Sequence, residues 1–344
     1  MTDAYRLCGL PAGSTLQAPS YHCRTMLDPA IRIGANVVLY PLLADLRPDM
    51  AGLADCLARC VQPVRALLVT HYFGFTQALG PLREWRLAHD VKLIEDCSHC
   101  LFLPPLSGDL GVRGQYCVAS PYKLFPIEDG GLLWANAGAP IPHDPARTSG
   151  IGQELRAIAR ALKGAVARRA PPDAGQTARS LAALPMASAV LAEDRSERQA
   201  GPSTHYSVTS ERRTSLATTR WIMRHTRLSR LVTQRRANYQ AWPRCVDKLS
   251  HCRALFPDLP AACVPYMFPL HIKHPKVHFF ALKRLGFPIW RWDGITSSGC
   301  AFATAYRTQL LHLPCHQELG PAQMRWMTTV LPGLMSGELV EEPA

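Results

Sequence analysis

The stretch VKLIEDCSH, residues 91–99, is a short apolar run that ends in two carboxylates, Glu95 and Asp96. The run ALLVTH, residues 66–71, ends in the same way on a polar residue, His71. Amphipathic stretches with helical spacing separate these runs. Such alternation is typical of βαβ units, whose parallel strands are covered by helices on both faces. The sequence therefore predicts an α/β fold with a mostly parallel sheet in a three-layer αβα arrangement.

The same pattern extends toward the N-terminus. Strands are predicted in STLQAPSY (14–21) and ANVVLYPL (35–42), with a helix in CRTMLDPAIRIG (23–34) that closes on a glycine. A second helix is predicted in DMAGLADCLARCV (49–61), where Leu53, Leu57 and Val61 recur at helical spacing. Parallel sheets bind ligands beyond the carboxyl ends of their strands, and Asp96 falls at such an end.

The composition changes between residues 138 and 210, where Pro, Gly, Ala and Arg predict linkers around one helix. We expect a large domain over 1–210, and a connecting helix and a smaller α+β domain over 211–344. In this smaller domain strands are predicted in VPYMFPLHI (264–272) and PIWRWD (288–293). Helices are predicted in PKVHFFALKRLGF (275–287) and GPAQMRWMTTVLPGLM (320–335).

Bulk properties exclude several classes of protein. Hydrophobic residues make up 47% of the chain and charged residues 19%, as in folded globular proteins. No apolar run reaches the roughly 18 residues that cross a bilayer, and the N-terminus lacks a secretory pattern. We therefore expect a cytoplasmic protein with no membrane partner. The net charge of +12 attracts anionic ligands, but no nucleic-acid-binding module accompanies it, so no nucleic-acid partner is expected.

Cysteines raise a separate question, because Cys97 and Cys100 form a C-x-x-C pair around His99. A metal site and a redox pair are both possible readings of this spacing. A structural zinc ion needs about four ligands, and no second C-x-x-C pair accompanies this one. The chain has 12 cysteines and no export signal, so we expect reduced, buried thiols and no metal.

A lysine with two possible roles lies downstream in SPYKLFPIEDGG, residues 120–131. Lys123 occupies a short loop between two apolar runs, where a simple surface lysine is common. The alternative is a lysine whose amine attacks an aldehyde after burial has lowered its pKa. Pyridoxal phosphate needs such an amine, an acid against its ring nitrogen, donors for its phosphate and flat groups around the ring.

Six segments in fixed order resemble the DegT/DnrJ/StrS family of pyridoxal-phosphate-dependent aminotransferases, which has the aspartate aminotransferase type I fold. The segments are APSYHC (18–23), VVLYPLLADL (37–46), ALLVTHYFG (66–74), LIEDCSH (93–99), SPYKLFPIEDGG (120–131) and LLWAN (132–136). The C-terminal segments LGFPIWRWDG (285–294) and LLHLPCHQELGPAQM (310–324) also resemble the family.

The resemblance implies roles for individual residues. Lys123 would bind the aldehyde of pyridoxal 5′-phosphate and move protons, and Asp96 would contact the ring nitrogen. His99 would lie beside the ring hydroxyl, and Ser120 would bind the phosphate. Tyr21 or His22 would stack on the ring.

The resemblance also implies a reaction and partners. An amino-acid donor, with glutamate favoured, would give its amino group to a keto acceptor such as a nucleotide-linked keto sugar, and the enzyme would be a homodimer. One departure is that the family's Gly–Ser/Thr–Ala phosphate turn, and the helix after it, are expected to be missing before GSTLQAPSY (13–21). The alternative is therefore a non-catalytic or weakly cofactor-binding relative with a binding or assembly role.

Overall fold

The computed structural model describes most of the chain and divides it into two compact units. The described residues of the first unit lie within Met1–Ala167, Ala200–Thr226 and Gly294–Thr304, and those of the second lie within Arg227–Asp293 and Ala305–Ala344. The described residues are 1–103, 110–136, 138–139, 141, 150–166, 206–208, 211, 213–292, 294–295 and 298–336.

A six-stranded sheet forms the centre of the first unit, in the order β2-β1-β3-β4-β5-β6. The first five strands are parallel, and β6 runs antiparallel to β5 at one edge. The strands are β1 Thr15–Pro19, β2 Asn36–Tyr40, β3 Val64–Thr70, β4 Lys92–Asp96, β5 Tyr116–Ala119 and β6 Leu132–Ala135. These strands fall in the apolar runs of the sequence, so the predicted α/β class with a mostly parallel sheet is confirmed.

The helices follow the amphipathic stretches between the runs. They are α1 Thr2–Leu7, α2 Arg24–Arg32, α3 Met50–Ala58, α4 Gly80–Ala88, α5 Ile151–Val166 and α6 Ala217–His225, followed by α7 Leu228–Val246, α8 Pro275–Arg284, α9 Ala301–Gln309 and α10 Pro321–Met335. Two short 3₁₀ turns, Tyr72–Gly74 and Pro121–Lys123, follow β3 and β5. No helix among these described residues is long and apolar enough to cross a bilayer.

The strands are buried because helices cover the sheet. Six of the seven residues of β3 are buried, and its one exposed residue is Arg65. One core cluster combines Leu16, Ala66, Leu68 and Ile94 from the sheet with side chains from α1 and α2. A strand buried on both faces is read from the sequence as a continuous apolar run, which is why β3 and β4 were predictable.

The first helix was not predicted. The helix that follows the family's phosphate turn was expected to be missing before β1, but α1 occupies this place, so that part of the expectation is wrong. Tyr5 of α1 is fully buried, and its hydroxyl donates a hydrogen bond of 2.8 Å to the carbonyl oxygen of Met26. This contact ties α1 to α2, and the six residues of α1 are too few to show a helical period in the sequence.

Helix α3 begins as the sequence indicates but ends early. The Asp49 side chain caps it by accepting hydrogen bonds from the backbone N–H groups of Ala51 and Gly52. Leu53 is buried on this helix. Val61 lies beyond the helix and is 95% exposed, so its predicted place within the helix is wrong.

A three-stranded antiparallel sheet forms the second unit's strand layer, in the order β7-β8-β9. Its strands are β7 Cys252–Ala254, β8 Met267–Ile272 and β9 Leu310–Pro314. The strand predicted over 288–293 is wrong, because among its described residues Trp290 alone pairs, as an isolated bridge with His312. Pro288 has no N–H to donate to a ladder.

The predicted linkers between residues 138 and 210 lie largely outside the described residues. The helix predicted between them is confirmed as α5. The domain boundary at residue 210 stays a prediction.

Candidate active site

Loops at the carboxyl ends of β1, β4 and β5 bring the predicted site residues to the same end of the sheet. Tyr21 and His22 follow β1, Asp96 ends β4, and Ser120 and Lys123 follow β5. Since these strands are parallel, their carboxyl ends lie on the same side of the sheet's strand ends. His99 follows β4 as well, so the six residues share one end of the large sheet.

Asp96 is a buried carboxylate that is held in its charged form. Its Oδ2 lies 3.2 Å from Nε2 of His22, and its Oδ1 accepts a hydrogen bond of 2.9 Å from the Ser98 N–H. Burial raises the pKa of Asp96, but the hydrogen bond and charge of His22, with the charge of Lys123, outweigh burial. The pKa of Asp96 therefore lies well below its usual range, and the group is an anion at neutral pH.

Lys123 lies at the end of the 3₁₀ turn after β5, close enough to Asp96 for their charges to interact. Its backbone N–H donates a hydrogen bond of 3.1 Å to the carbonyl oxygen of Ser120. The residue as a whole is partly exposed, but its amine is desolvated. Burial lowers the pKa of the Lys123 amine, and the negative charge of Asp96 opposes this effect without cancelling it. The sequence left open a surface lysine, and this environment favours a reactive amine.

His22 faces a hydrogen-bond acceptor on each side of its ring. Nδ1 lies 3.1 Å from the carbonyl oxygen of Cys23, and Nε2 lies 3.2 Å from Oδ2 of Asp96. A carbonyl oxygen and a carboxylate oxygen can only accept, so both bonds form together when the ring carries both protons. His22 is thus the hydrogen-bond partner that favours the charged form of the Asp96 carboxylate.

His99 is held by the turn that follows β3. Its Nδ1 accepts a hydrogen bond of 3.3 Å from the Phe73 N–H, and the two rings lie 5.7 Å apart. The neutral His99 ring therefore carries its proton on Nε2. Phe73 adopts a left-handed φ of 57°, an uncommon conformation for a bulky side chain. The turn positions the ring of His99 at some conformational cost.

Tyr21 is fully buried beside Tyr72. The Tyr72 hydroxyl donates a hydrogen bond of 2.6 Å to the carbonyl oxygen of Tyr21, and the ring centres lie 5.8 Å apart. Tyr72 carries no signal in the sequence beyond its place after His71. Of the two residues considered for ring stacking, His22 contacts Asp96, whereas Tyr21 packs against this tyrosine.

Ser120 pairs with Ser98, for which the sequence predicted no role. The Ser120 hydroxyl donates a hydrogen bond of 3.1 Å to the hydroxyl oxygen of Ser98, which in turn follows Asp96 by two residues. Both serines line a cavity of about 690 Å³ in the first unit. The cavity's charged lining residues are Arg156, Arg160, Arg213, Asp3, Glu128, Asp129 and Glu211.

Several of these charges already have partners. Arg160 lies 2.8 Å from Glu128, and Asp129 accepts hydrogen bonds from the Leu216 N–H and the Thr219 hydroxyl. The size and mixed lining of the cavity suit a small polar ligand. No feature of the sequence pointed to Arg156 or Arg213, which lie 33 or more residues beyond Lys123.

The neighbouring carboxylate, Glu95, serves a different purpose. Glu95 is fully buried and accepts hydrogen bonds of 3.1, 2.6 and 2.5 Å from the N–H groups of Gly111, Arg113 and Gly114. Nε2 of His71 lies 3.0 Å from Oε2 of Glu95, and Nδ1 of His71 accepts a hydrogen bond from the Gln77 N–H. His71 therefore supports Glu95 and the loop before β5.

A metal ion does not fit at these residues. Among the described residues, His71, Glu95 and Cys97 alone group three ligand atoms within 4.8 Å of one another. Glu95 already accepts four hydrogen bonds, and both ring nitrogens of His71 have partners. Burial, and after it the neighbouring Cys117, raises the pKa of the Cys97 thiol. A protonated thiol and occupied lone pairs leave no ligand set.

The C-x-x-C pair belongs to an apolar cluster. Cys97 and Cys100 pack with Phe102, Cys117 and Ala119, and all are buried. All 12 cysteines lie in described residues, and each is a free thiol. The expectation that most cysteines are buried is confirmed, and their reduced state stays a prediction.

Comparison with known proteins gives one curated relative. No protein-family model matches the chain. An L-glutamine:scyllo-inosose aminotransferase from Streptomyces griseus is 27% identical over 176 residues, which cover 50% of this chain. The match spans 38% of that relative's length.

Solved structures match over nearly the whole chain. The aminotransferase TlmJ from Streptoalloteichus hindustanus has a TM-score of 0.63 and 20% identity, and covers 97% of this chain and 83% of its own. A DegT DnrJ EryC1 StrS aminotransferase from Brucella abortus has a TM-score of 0.64 and 14% identity, with 98% and 84% covered. The resemblance found in the sequence is confirmed at the level of the fold, and the chain has the type I fold of the DegT/DnrJ/EryC1/StrS aminotransferases.

Proposed function

We propose that this protein is a pyridoxal-phosphate-dependent aminotransferase. The observation that carries the proposal is that Asp96 and Lys123 lie at the same end of the sheet, close enough for their charges to interact. A carboxylate is held charged there by His22, and an amine is held desolvated beside it. Groups whose pKa values are shifted by burial and by a specific charged neighbour are concentrated at functional sites.

The donor set fits the cofactor's chemical groups. Asp96 offers a carboxylate oxygen to a protonated ring nitrogen, and His22 is the positioning residue that keeps this oxygen negative. The paired hydroxyls of Ser98 and Ser120 offer hydrogen bonds to a phosphate, and the cavity that they line also contains arginines. Pyridoxal phosphate, when bound, supplies an aldehyde for amines and a ring that accepts electrons.

Lys123 is the catalytic residue in this proposal. Because burial lowers the pKa of its amine, a larger fraction of Lys123 is neutral near pH 7 than of an exposed lysine. A neutral Nζ can attack an aldehyde, and it can accept the proton from the α-carbon of the amino donor. The same Nζ then returns a proton to the carbon that is being aminated.

Two residues complete the proposed contacts around the ring. His99 donates from Nε2 to the ring hydroxyl, because its Nδ1 is occupied by the Phe73 N–H. Tyr21 or His22 packs on the ring face, as the resemblance implies. Neither contact moves a proton in the reaction, so both act by holding the ring.

The amino donor is glutamate or glutamine in this proposal. Glutamate follows from the sequence resemblance, and the Streptomyces griseus relative is named for L-glutamine and scyllo-inosose. We propose a keto compound as acceptor, with a nucleotide-linked keto sugar as the first candidate. We further propose that the enzyme is a cytoplasmic homodimer that needs neither a membrane nor a nucleic acid.

The test uses absorbance and covalent trapping on the purified full chain. With pyridoxal phosphate, we expect a visible absorbance band, and borohydride should fix the cofactor on Lys123 in a peptide identified by mass spectrometry. Lys123→Ala should lose both the band and the label. The control Lys248→Ala, which changes an exposed lysine, should keep both.

A half-reaction separates the enzyme from its alternative. Glutamate or glutamine should bleach the visible band, and a keto acceptor should restore it. A chain that shows no cofactor band, or a Lys123→Ala variant with an unchanged spectrum, would overturn the proposal. The first of these results would favour the non-catalytic relative with a binding or assembly role.

A further inference from the structure

Three histidine rings meet in the second unit, where nothing in the proposed reaction uses them. His251 directly precedes β7, His274 is the residue before α8, and His278 lies one turn into α8. Ring centres are 5.2 Å apart for His251 and His274, 5.6 Å for His251 and His278, and 5.8 Å for His274 and His278. The three rings thus form a nearly equilateral triangle.

The backbone holds this triangle in place. The Lys273 N–H donates a hydrogen bond of 2.9 Å to the carbonyl oxygen of His251, next to the ladder between β7 and β8. The His278 N–H donates a hydrogen bond of 3.0 Å to the carbonyl oxygen of His274. Two histidines four residues apart on one helical turn share a face, a spacing that metal sites use.

His278 is the feature that points to a ligand. Its side chain is 0% exposed, yet neither Nδ1 nor Nε2 has a hydrogen-bond partner within the described residues. A buried polar group without a partner costs free energy, and such a group needs an explanation such as a water or an ion. His251 and His274 are partly exposed, so an ion can reach the cluster from solvent.

We propose that His251, His274 and His278 bind one divalent transition-metal ion. With metal–nitrogen distances of about 2.0–2.1 Å and tetrahedral angles, the centres of three ligating rings lie roughly 5 Å apart. The observed triangle is close to this size. The rings are inclined to one another by 46° to 75°, and among the described residues their ring nitrogens do not group within 4.8 Å, so binding requires the imidazoles to rotate toward a common point.

The chemistry of the cluster narrows the choice of ion. Neutral imidazole is a ligand for zinc, copper, cobalt and nickel, whereas calcium and magnesium prefer oxygen. Three protein ligands leave a fourth position open, as in an exchangeable zinc site. Arg253 and Lys273 adjoin the cluster in the chain, so their charges favour a small anion such as chloride as the fourth ligand.

Cobalt(II) titration of the full chain tests the proposal, because its visible spectrum distinguishes nitrogen from sulfur ligands. With all thiols reduced, we expect one cobalt ion per chain, tetrahedral bands and no thiolate charge-transfer band. His251→Gln and His274→Gln should each weaken binding by about 100-fold or more, since even an outer-shell change costs 10–100-fold. The control His225→Ala, which changes an exposed histidine of the first unit, should bind as the wild type does.

The same titration can also overturn the proposed metal site. Absence of cobalt binding, a thiolate charge-transfer band, or unchanged affinity in His274→Gln would overturn it. His278→Leu should also abolish binding, and if this buried change prevents folding, the two partly exposed positions give the answer. A positive result stands whether or not Lys123 binds pyridoxal phosphate, because the readout does not depend on transaminase activity.

Discussion

Glu95 and Asp96 are neighbours on β4, and both are buried carboxylates, but they are stabilised in different ways. Successive side chains of a strand point to opposite faces of the sheet, so the two groups meet different surroundings. Glu95 is surrounded by backbone N–H groups and His71, whereas Asp96 is paired with His22 and lies near Lys123. Backbone donors are fixed by the fold, while side-chain partners can rotate to admit a ligand.

Glu95 therefore stabilises the fold, whereas Asp96 belongs to the candidate site. Glu95 holds the loop Gly111–Gly114 against the sheet, and that loop leads into β5 and then to Ser120 and Lys123. Asp96 has partners that are themselves part of the candidate site. We therefore expect substitutions on the Glu95 side to affect mainly stability, and those on the Asp96 side to affect mainly the response to pH and to cofactor.

The largest effect on stability is expected for Glu95→Gln. The amide nitrogen cannot accept from the loop N–H groups, and it places a donor against at least one of them. Loss of hydrogen bonds to this buried group, with a donor placed against a donor, should cost about 3 kcal/mol or more of the free energy of unfolding. Urea unfolding monitored by fluorescence would measure it.

The matched control for that variant is Glu84→Gln, which changes an exposed carboxylate on α4. Its free energy of unfolding should stay within about 0.5 kcal/mol of the wild type. If the two variants lose equal stability, the loop does not depend on Glu95.

Gly111→Ala should have the next largest effect. Gly111 has a φ of +75°, and an added Cβ would lie 2.4 Å from Cε2 of Phe102 and 2.8 Å from Sγ of Cys117. The left-handed conformation and the overlap together should cost about 2–3 kcal/mol. Thermal unfolding of this variant and of Gly80→Ala would test the point.

Gly80 is the contrasting position because it begins α4 and has nothing within 4 Å of an added Cβ. Gly80→Ala should be neutral, or stabilising by about 0.4–1 kcal/mol. A Gly111→Ala variant as stable as Gly80→Ala would mean that the loop can shift without cost, and Glu95 would then not fix it.

Asp96→Asn should change how stability depends on acid. A carboxyl whose pKa is lowered by folding contributes stability above its ordinary pKa of about 4, and this contribution is lost as the pH falls through the lowered value. Wild-type stability should therefore fall more steeply below about pH 4 than that of Asp96→Asn, by up to about 1.4 kcal/mol per pH unit. Urea unfolding at several pH values between 3 and 7 would measure the difference.

The control here is Asp55→Asn, which changes an exposed carboxylate of α3. Its acid limb should follow that of the wild type. Parallel acid limbs in the wild type and Asp96→Asn would show that His22 and Lys123 do not hold the Asp96 carboxylate in its charged form.

The sequence predicted at which end of the sheet the site residues lie, but not which side chains contact one another there. Asp96 and Lys123 could be assigned to the same end of the sheet because Asp96 ends one apolar run, Lys123 lies in the loop after another, and parallel strands finish together. The partner of Asp96 could not be predicted, because His22 is 74 residues away and its ring nitrogens face acceptors only after folding. Sequence spacing likewise could not choose between Glu95 and Asp96, since the distinction depends on which face each side chain occupies.

Local signals were weakest in the second unit. β7 has only three residues, and all five residues of β9 are buried, so neither strand shows an alternating pattern in the sequence. β9 pairs with β8, which lies far before it in the chain. His274 and His278 carry a recognisable spacing, but His251 is 23 residues before His274, and only the pairing of β7 with β8 brings them together. Long-range pairing is therefore the part of this fold that local patterns do not contain.

The smallest effect is expected for Cys97→Ala. Cys97 is fully buried in an apolar cluster, so loss of its sulfur removes packing and leaves a small cavity that costs about 1 kcal/mol. Because the protonated thiol is neither a ligand nor a nucleophile here, the cofactor spectrum and the cobalt titration should match those of the wild type. Loss of metal binding or of the cofactor band in Cys97→Ala, at unchanged stability, would instead give the C-x-x-C pair a chemical role, and Glu95 and His71 would then have to be reconsidered as its partners.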